Sequence, residues 1–441
     1  MEGILKRYRQ RKVIKPITHR ITINCHATNL DWEGHLMKVL QIATSTDGGA
    51  GIAARRLNEA LNLIGLDSVL LSGSAPKLRK NQDEITVIKK FKTRNLSRVV
   101  TVLQAKFVQK RNSLMTPFSL ETTSTFEILK LKPDIIHLHT FYNLLSAKTI
   151  SKICNLGIPI FITLHDERFY TGGCHYAQGC SNYEQSCCNC PEAKPMFRKV
   201  TVRSQNDLAL AFNQNQHPVV IAPSEWISRR AGRSAVLGSS EIYKVNNPLS
   251  VEFIEKSKRP RITREDSSPY IITFVAQNLT NPFKGLETLL KCIRKYEQQF
   301  ISQNIKFVFV GKGPEIDIGP LKYHQYDKID SSKMIDIYHR SDLLIVPSLV
   351  DNSPNVIFEA LACGTPLVGS DQSGIQEILS DFRMESFVYG DVDSMYQAIK
   401  KQKFAQVDSI QIREAALEIV HPVAVAEKIF NLYAMKSTEA S

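Results

Sequence analysis

Asp351 and Glu359 flank the start of one helix within residues 345–370 (IVPSLVDNSPNVIFEALACGTPLVGS). Residues 343–347 form a hydrophobic run that reads as a buried strand aimed into a loop. The loop Asp351-Asn352-Ser353-Pro354 carries helix-start chemistry: a Ser or Asn to cap, then Pro just inside the first turn. The helix should stop near Gly364, and Thr365-Pro366-Leu367-Val368 begins another strand. Asp351 then falls in the loop and Glu359 in the second helical turn. In an open parallel sheet this is where an anion or a sugar sits.

Four further groups could share that work. Ser45-Thr46-Asp47-Gly48-Gly49-Ala50-Gly51 follows a first strand and leads into a helix, so its backbone can approach a diphosphate or sugar closely. Phe283-Lys284-Gly285 places Lys284 where a loop meets a helix N-terminus, a good position to hold a phosphate. Residues 307–314 (FVFVGKGP) are a strand ending in a glycine turn at Gly311. His137 and His139 lie two apart on a strand and face one way, the arrangement of a metal-ligand pair or, in the stronger reading, of a strand end from which only His139 reaches the cleft; a second strand ends in His165-Asp166-Glu167. Asp391-Val392-Asp393 is a lone DxD whose position after the last strand favours a turn.

Cysteines are concentrated in one stretch. Cys174, Cys180, Cys187, Cys188 and Cys190 crowd into a single loop, TGGCHYAQGCSNYEQSCCNCPEAKP. Cys174, Cys180, Cys187 and Cys190 have the spacing of a closed tetrahedral zinc site ending in a Cys-x-x-Cys knuckle, with His175 a lesser ligand. Four thiolates leave no open position, so such a metal would brace the loop and not catalyse.

The elements that must position these groups follow from size and pattern. The chain has 441 residues, average hydrophobic content and no window apolar enough for a membrane span. Residues 1–36 are basic and weakly periodic, without the apolar core of a secretory signal, and read as an extension ahead of the compact protein. That predicts a cytoplasmic protein with reduced or metal-bound thiols. Residues 1–222 hold 30 Lys/Arg against 16 Asp/Glu, and residues 223–441 hold 26 against 27, so the basic excess lies wholly in the first half. An anionic partner for that half follows: a membrane surface, phosphate groups or nucleic acid. Between Lys77 and Arg111, Leu96, Val99, Val100, Leu103 and Phe107 fall on one helical face, with Arg98, Lys106 and Lys110 off it. This is the pattern of a basic amphipathic helix on an anionic membrane, or of a surface helix whose apolar face is core. Strand–helix alternation divides the chain into a first α/β domain (37–255), a polar linker (256–269) and a second α/β domain (270–420), followed by a last helix (421–441).

These motifs, in this order, resemble the retaining glycosyltransferases of family 4 (group 1), which have the GT-B fold. The resemblance rests on Gly48-Gly49-Ala50, Thr163-Leu164-His165-Asp166, Ala222-Pro223-Ser224-Glu225-Trp226, Phe283-Lys284-Gly285, Val310-Gly311-Lys312-Gly313-Pro314, and Asp351-x7-Glu359 followed by Ala-Cys-Gly-Thr-Pro. The cysteine-rich insertion resembles a subgroup acting in exopolysaccharide and lipopolysaccharide assembly. The resemblance implies two doubly wound Rossmann-like domains facing across a cleft, the C-terminal helix crossing back to the first. It implies sugar transfer from a UDP- or GDP-sugar to a saccharide or lipid-linked saccharide, at the inner face of the plasma membrane, without nucleic acid, catalytic metal or cofactor. Glu359 would accept from the nucleotide ribose, and Asp351 with the N–H groups at Ser353–Asn355 would hold the sugar. Lys284 would neutralise the diphosphate. His165 would contact the sugar, Gly311, Gln277 and Asn278 would line the donor site, and Gly48, Gly49 and His139 would meet the acceptor, Gly49 also the donor.

Three positions depart from the family pattern. Asp351 is one methylene shorter than the usual Glu. Val275-Ala276-Gln277-Asn278-Leu279 lacks the arginine that precedes the phosphate lysine, and Gln376 stands where proline is common. A non-catalytic scaffold of the same fold, or a nucleotide-sugar epimerase, are the alternatives these departures leave open.

Overall fold

In the computed structural model, residues 37–73, 84–86, 99–100, 102–110, 115–119, 121, 123–213, 217–259, 267–405 and 407–440 are described. The extension 1–36, the middle of the linker, and Leu96 and Arg98 of the expected basic helix lie outside them.

Two parallel sheets organise the chain. The first contains β1 (Lys38–Ala43), β2 (Asp67–Ser72), β3 (Glu84–Thr86), β4 (Ile135–Leu138), β5 (Ile160–Thr163), β6 (Val219–Ala222) and β7 (Ile242–Lys244), in the order β3-β2-β1-β4-β5-β6-β7. The second contains β8 (Tyr270–Asn278), β9 (Ile305–Lys312), β10 (Lys322–Tyr326), β11 (Leu343–Val346), β12 (Leu367–Ser370) and β13 (Ser386–Phe387), in the order β10-β9-β8-β11-β12-β13. Helices cover both faces, so the central strands are buried throughout and read as apolar runs: IIHL in β4, IFIT in β5, VVIA in β6, LLIV in β11. Strand order reverses between β1 and β4 in one sheet and between β8 and β11 in the other. Ligands of such sheets bind beyond the strand ends at that reversal. The glycine-rich turn follows β1, His139 follows β4, Lys284 follows β8, and Asp351 follows β11.

The helix Gly48–Leu63 buries Gly51, Ala53, Ala54, Leu57, Ala60 and Leu61, small and apolar residues at helical spacing that let it lie close on the first sheet. The last helix, Pro422–Ala440, packs there too: Val425, Ala426, Ile429, Phe430 and Tyr433 join Val39, Leu57, Phe161 and Ile221 in one buried cluster. The helix Val251–Ser257, expected within the first domain, sends Phe253 and Ile254 into the core of the second, against Leu344 and Ile357. Its Ser257 is still helical, so the chain has entered the second domain before the predicted linker begins.

In the described part of the predicted basic helix, Gln104–Val108 forms a π-helical turn. Gln104 and Val108 point inward, while Val99, Val102, Leu103 and Phe107 are exposed. The apolar face is therefore not core.

Candidate active site between the two sheets

The Asp351 loop and the helix Asn355–Ala362 meet the first domain through direct side-chain contacts. The helix starts one residue later than the cap rules predicted: Pro354 itself is the N-cap, and neither Asn352 nor Ser353 caps it. Both side chains are thereby free for other partners. Asn352 donates to the Leu164 carbonyl (2.7 Å) and accepts from Ser224 Oγ (2.5 Å), joining the loop to the ends of β5 and β6. Asn355 Nδ2 donates to the Gly49 carbonyl at 3.1 Å. Asp351 is fixed by Ser373, whose Oγ accepts from the Asp351 N–H (2.8 Å) and donates to its carbonyl (2.7 Å). Ser373 holds a left-handed φ of 54°, a strained conformation for a residue with a Cβ. Gly374 follows because a Cβ there would lie 1.7 Å from the Asn352 carbonyl oxygen.

Two cation–carboxylate pairs occupy the cleft. Lys284 Nζ donates to Asp351 Oδ2. The lysine is aimed there by a short turn in which Asn281 caps Phe283, and by Gly285 at φ 71°, whose missing Cβ makes room for the Pro347 carbonyl. Arg56, on the helix after the glycine turn, places Nη2 2.6 Å from Glu359 Oε1, and Tyr338 donates to Oε2 at 3.2 Å. Arg56 and Glu359 are both buried. Glu377 closes a third contact: its carboxylate accepts from the N–H groups of Glu225 (2.8 Å) and Trp226 (3.3 Å) and from Lys244 Nζ. Arg56, Tyr338 and Glu377 were not among the residues expected from sequence.

His165 and His139 divide their roles differently from expectation. His139 does not reach the cleft; at 1 % exposure it lies behind His165, because the last helix covers the face of β4 that His137 and His139 share. His139 Nδ1 is 3.0 Å from His165 Nε2, and His139 Nε2 is 2.7 Å from Gln41 Oε1. Gln41 uses its amide N–H on Ser68 Oγ (2.9 Å), so its oxygen accepts from His139 Nε2–H. His139 Nδ1 must then accept from His165 Nε2–H, which leaves His165 Nδ1 unprotonated. Burial holds His165 neutral, its pKa lowered to about 4, and lowers that of His137 to about 3. His137 sits between Tyr433 OH (2.6 Å) and Thr163 Oγ1 (2.7 Å), a structural position.

Other predicted positions have local explanations. Gly311 is a glycine because a Cβ would lie 1.9 Å from the Ala276 carbonyl oxygen, so strand packing accounts for it without a ligand. Asn278 Oδ1 accepts from Thr280 N–H and Oγ1 and shapes the turn before Lys284. Gln277 faces Gly48 across the cleft. Asp391 caps the helix Val392–Phe404, so the DxD is a turn.

The four cysteines do not form the expected zinc site. Among the described residues no group of three or more His, Cys, Asp or Glu side chains is arranged to hold a metal ion. Instead Cys174 donates a hydrogen bond to Cys190, raising its own pKa and lowering that of Cys190 to about 6. Cys187 Sγ accepts from the Gly172 N–H at 3.2 Å, and Cys180 is only half-buried. The loop is held instead by Glu167, fully buried, which accepts from Tyr170 OH, the Ala177 N–H and Arg230 Nε.

Three buried polar atoms around the cleft have no hydrogen-bond partner among the described residues: Thr46 Oγ1 in the glycine turn, Arg56 Nη1, and Ser353 Oγ. Each would cost about 1–3 kcal/mol if left dry. Their concentration where the two domains meet marks the place a polar ligand would complete.

Residues 269–402 match the family model described as Glycosyl transferases group 1. These residues are a group 1 glycosyl transferase domain. The chain is also 23 % identical over 262 residues to WcaC of Escherichia coli (strain K12), provisionally named a colanic acid biosynthesis glycosyl transferase; the match covers 56 % of this chain and 62 % of WcaC, so it spans less than two thirds of that relative. A shorter match, 34 % over 62 residues and 14 % of each chain, is to D-inositol 3-phosphate glycosyltransferase 2 of Catenulispora acidiphila. Among solved structures, sucrose-phosphate synthase from Thermosynechococcus elongatus superposes with a TM-score of 0.62 at 15 % identity, covering 90 % of this chain and 98 % of that one. Anabaena HepE in complex with UDP gives 0.55 at 15 % identity, with 90 % and 100 % covered. The chain thus has the GT-B fold, and the group 1 domain supplies Lys284, Asp351 and Glu359 to its cleft. The first domain supplies Arg56, His165 and the glycine turn.

Proposed function

We propose that this chain is a glycosyltransferase that moves a sugar, with retention of configuration, from a UDP- or GDP-sugar to a saccharide or lipid-linked saccharide during cell-surface polysaccharide biosynthesis. The observation that carries the reading is the set Lys284, Asp351 and Glu359 at the strand-order reversal of the second sheet, facing the glycine turn at the reversal of the first. A nucleotide diphosphate in this cleft would meet Lys284, whose charge neutralises the leaving phosphate as the bond to the sugar breaks. Glu359 would accept from ribose hydroxyls in place of part of its bond to Arg56. Asp351, Ser353 and the neutral Nδ1 of His165 would receive sugar hydroxyls. The leaving phosphate takes the proton of the attacking hydroxyl, so this reading assigns no metal and no separate protein base. HepE has been solved with UDP and with UDP-glucose, which supports a uridine nucleotide as the first donor to try. The WcaC match supports an exopolysaccharide product.

The exposed Val99, Val102, Leu103 and Phe107, with Lys106 over the Phe107 ring and Phe118 tied to the same turn through Gln104, support a peripheral contact with an anionic membrane. No helix among the described residues is long and apolar enough to cross one.

Calorimetric titration with UDP, UDP-glucose and GDP-sugars, repeated on Glu359→Ala, tests the reading. Binding of one nucleotide that weakens at least tenfold in the variant is the expected result. No binding to any nucleotide, or unchanged polymer formation with Glu359→Ala, would leave the scaffold reading instead.

A further inference from the structure

The first domain has a second cavity outside the cleft. Tyr183, Glu184, Trp226, Arg229, Arg230 and Arg233 are among the residues lining a pocket of about 480 Å³ under the cysteine-rich loop. Its size is that of an ordinary small-molecule site. Trp226, Arg229, Arg230 and Arg233 come from one helix, Glu225–Gly232 with Arg233 at its C-cap, at spacings of three, four and seven residues that put them on one face.

The pocket combines aromatic faces with excess positive charge. The Arg230 guanidinium lies 4.8 Å from the Tyr183 ring and 5.3 Å from the Trp226 ring, and its Nε is held by the buried Glu167 carboxylate. Its Nη2 is buried and has no partner among the described residues. Arg233 pairs with Glu184 at 3.0 Å, and Arg229 makes no ion pair among the described residues. Three guanidinium groups thus face one wall carboxylate, Glu184, with Glu167 behind. A neutral sugar would need the aromatic faces but not this charge. The forked N–H groups of arginine match a planar or tetrahedral oxyanion.

We infer that this pocket binds an acidic sugar, a pyranose ring against Trp226 and Tyr183 with its carboxylate or phosphate on Arg229, Arg230 and Arg233. Its place connects it to the cleft. Ser224 and the Glu225 and Trp226 N–H groups, immediately before the pocket helix, are bonded to Asn352 and Glu377 of the group 1 domain. The Tyr176 ring lies 6.0 Å from Trp226 on the way to the Asp351 loop. A saccharide seated here would run toward the transfer site, which makes the acidic sugar a residue of the acceptor. That last step alone rests on the glycosyltransferase reading.

The experiment uses the full chain, with Trp32→Phe leaving Trp226 as the one tryptophan of the original two. Cellobiouronic acid, cellobiose and glucose 1-phosphate are titrated by tryptophan fluorescence, with UDP titrated by calorimetry on the same samples. Cellobiouronic acid should bind at least tenfold tighter than cellobiose. Arg229→Gln with Arg233→Gln should erase that preference, and Arg229→Lys with Arg233→Lys should keep part of it. Glucose 1-phosphate binding more tightly than the uronate would identify the oxyanion as phosphate within the same site. Equal binding of the acidic and neutral sugars, no binding of any, or an unchanged preference in the glutamine variant would overturn the proposal. UDP binding that persists in that case leaves the donor reading standing. Loss of UDP binding with acidic-sugar binding intact would do the reverse.

Discussion

Arg56 and Glu359, 303 residues apart, form a buried ion pair of 2.6 Å that links the first helix of one domain to the helix Asn355–Ala362 of the other. The glutamate is also bonded to Tyr338, so both its oxygens are engaged, while Arg56 keeps one buried N–H group without a partner among the described residues. A ligand that takes Glu359 by its hydroxyls therefore competes with one of the contacts between the domains.

Removing one member should be costly. Arg56→Ala is expected to destabilise the protein by about 3–5 kcal/mol in denaturant unfolding, because it strands a buried carboxylate. Arg56→Met combined with Glu359→Gln should recover much of that loss, and the double-mutant cycle measures the pair directly.

Lys284→Met should lower kcat by about 10²–10³-fold with a smaller effect on donor KM, because its charge matters most as the leaving phosphate develops. Asp351→Asn added to that variant should cost less than it does alone, since the two side chains act as a pair. Initial rates against donor concentration check both.

Acid should unfold this protein through its buried histidines. His137 is held neutral in the fold down to about pH 3, while the unfolded chain takes up a proton below 6.5. His139 is shifted the same way by burial and by its neighbours. The unfolded state binds more protons in that window, so stability is full above about 6.5 and falls as pH drops. Each such histidine contributes a slope of about 1.4 kcal/mol per pH unit. Denaturant unfolding at pH 7.5, 6 and 5 measures the slope, and His137→Asn should reduce it by about that amount.

Gly374→Ala should destabilise by about 1–3 kcal/mol, since its Cβ must displace the Asn352 carbonyl. Because Asn352 carries the contacts to Leu164 and Ser224, nucleotide affinity should fall with it. Gly49→Ala is the control for stability alone: its Cβ would meet nothing within 4 Å.

The alternation of apolar runs, glycine turns and helix starts was enough to read two doubly wound domains, and it placed Lys284 and Asp351 in loops beyond strand ends and Glu359 in the second turn of a helix. What was not legible depends on how the domains meet. Arg56 lies in a helix whose spacing shows only which face is buried, and nothing local marks a partner 303 residues away. Glu377 is an ordinary helix carboxylate until the N-terminus of Glu225–Gly232 is set against it. Period-two alternation put His137 and His139 on one face of β4, but the last helix decides that the face is interior. Cysteine spacing likewise could not tell a ligand set from a thiol pair, because loop spacing leaves the sulfur directions open.

The last helix also bears on the order in which the protein is made. Tyr433 bonds His137, and Val425, Ile429 and Phe430 complete the core around β1 and β5. A ribosome that has finished the first domain has not yet made these residues, so the groove on Val39 and Phe161 stays open while the whole second domain is synthesised. The earliest part of the chain is the last to become fully folded. Through that interval the apolar side chains of that groove lack the helix that covers them in the finished fold.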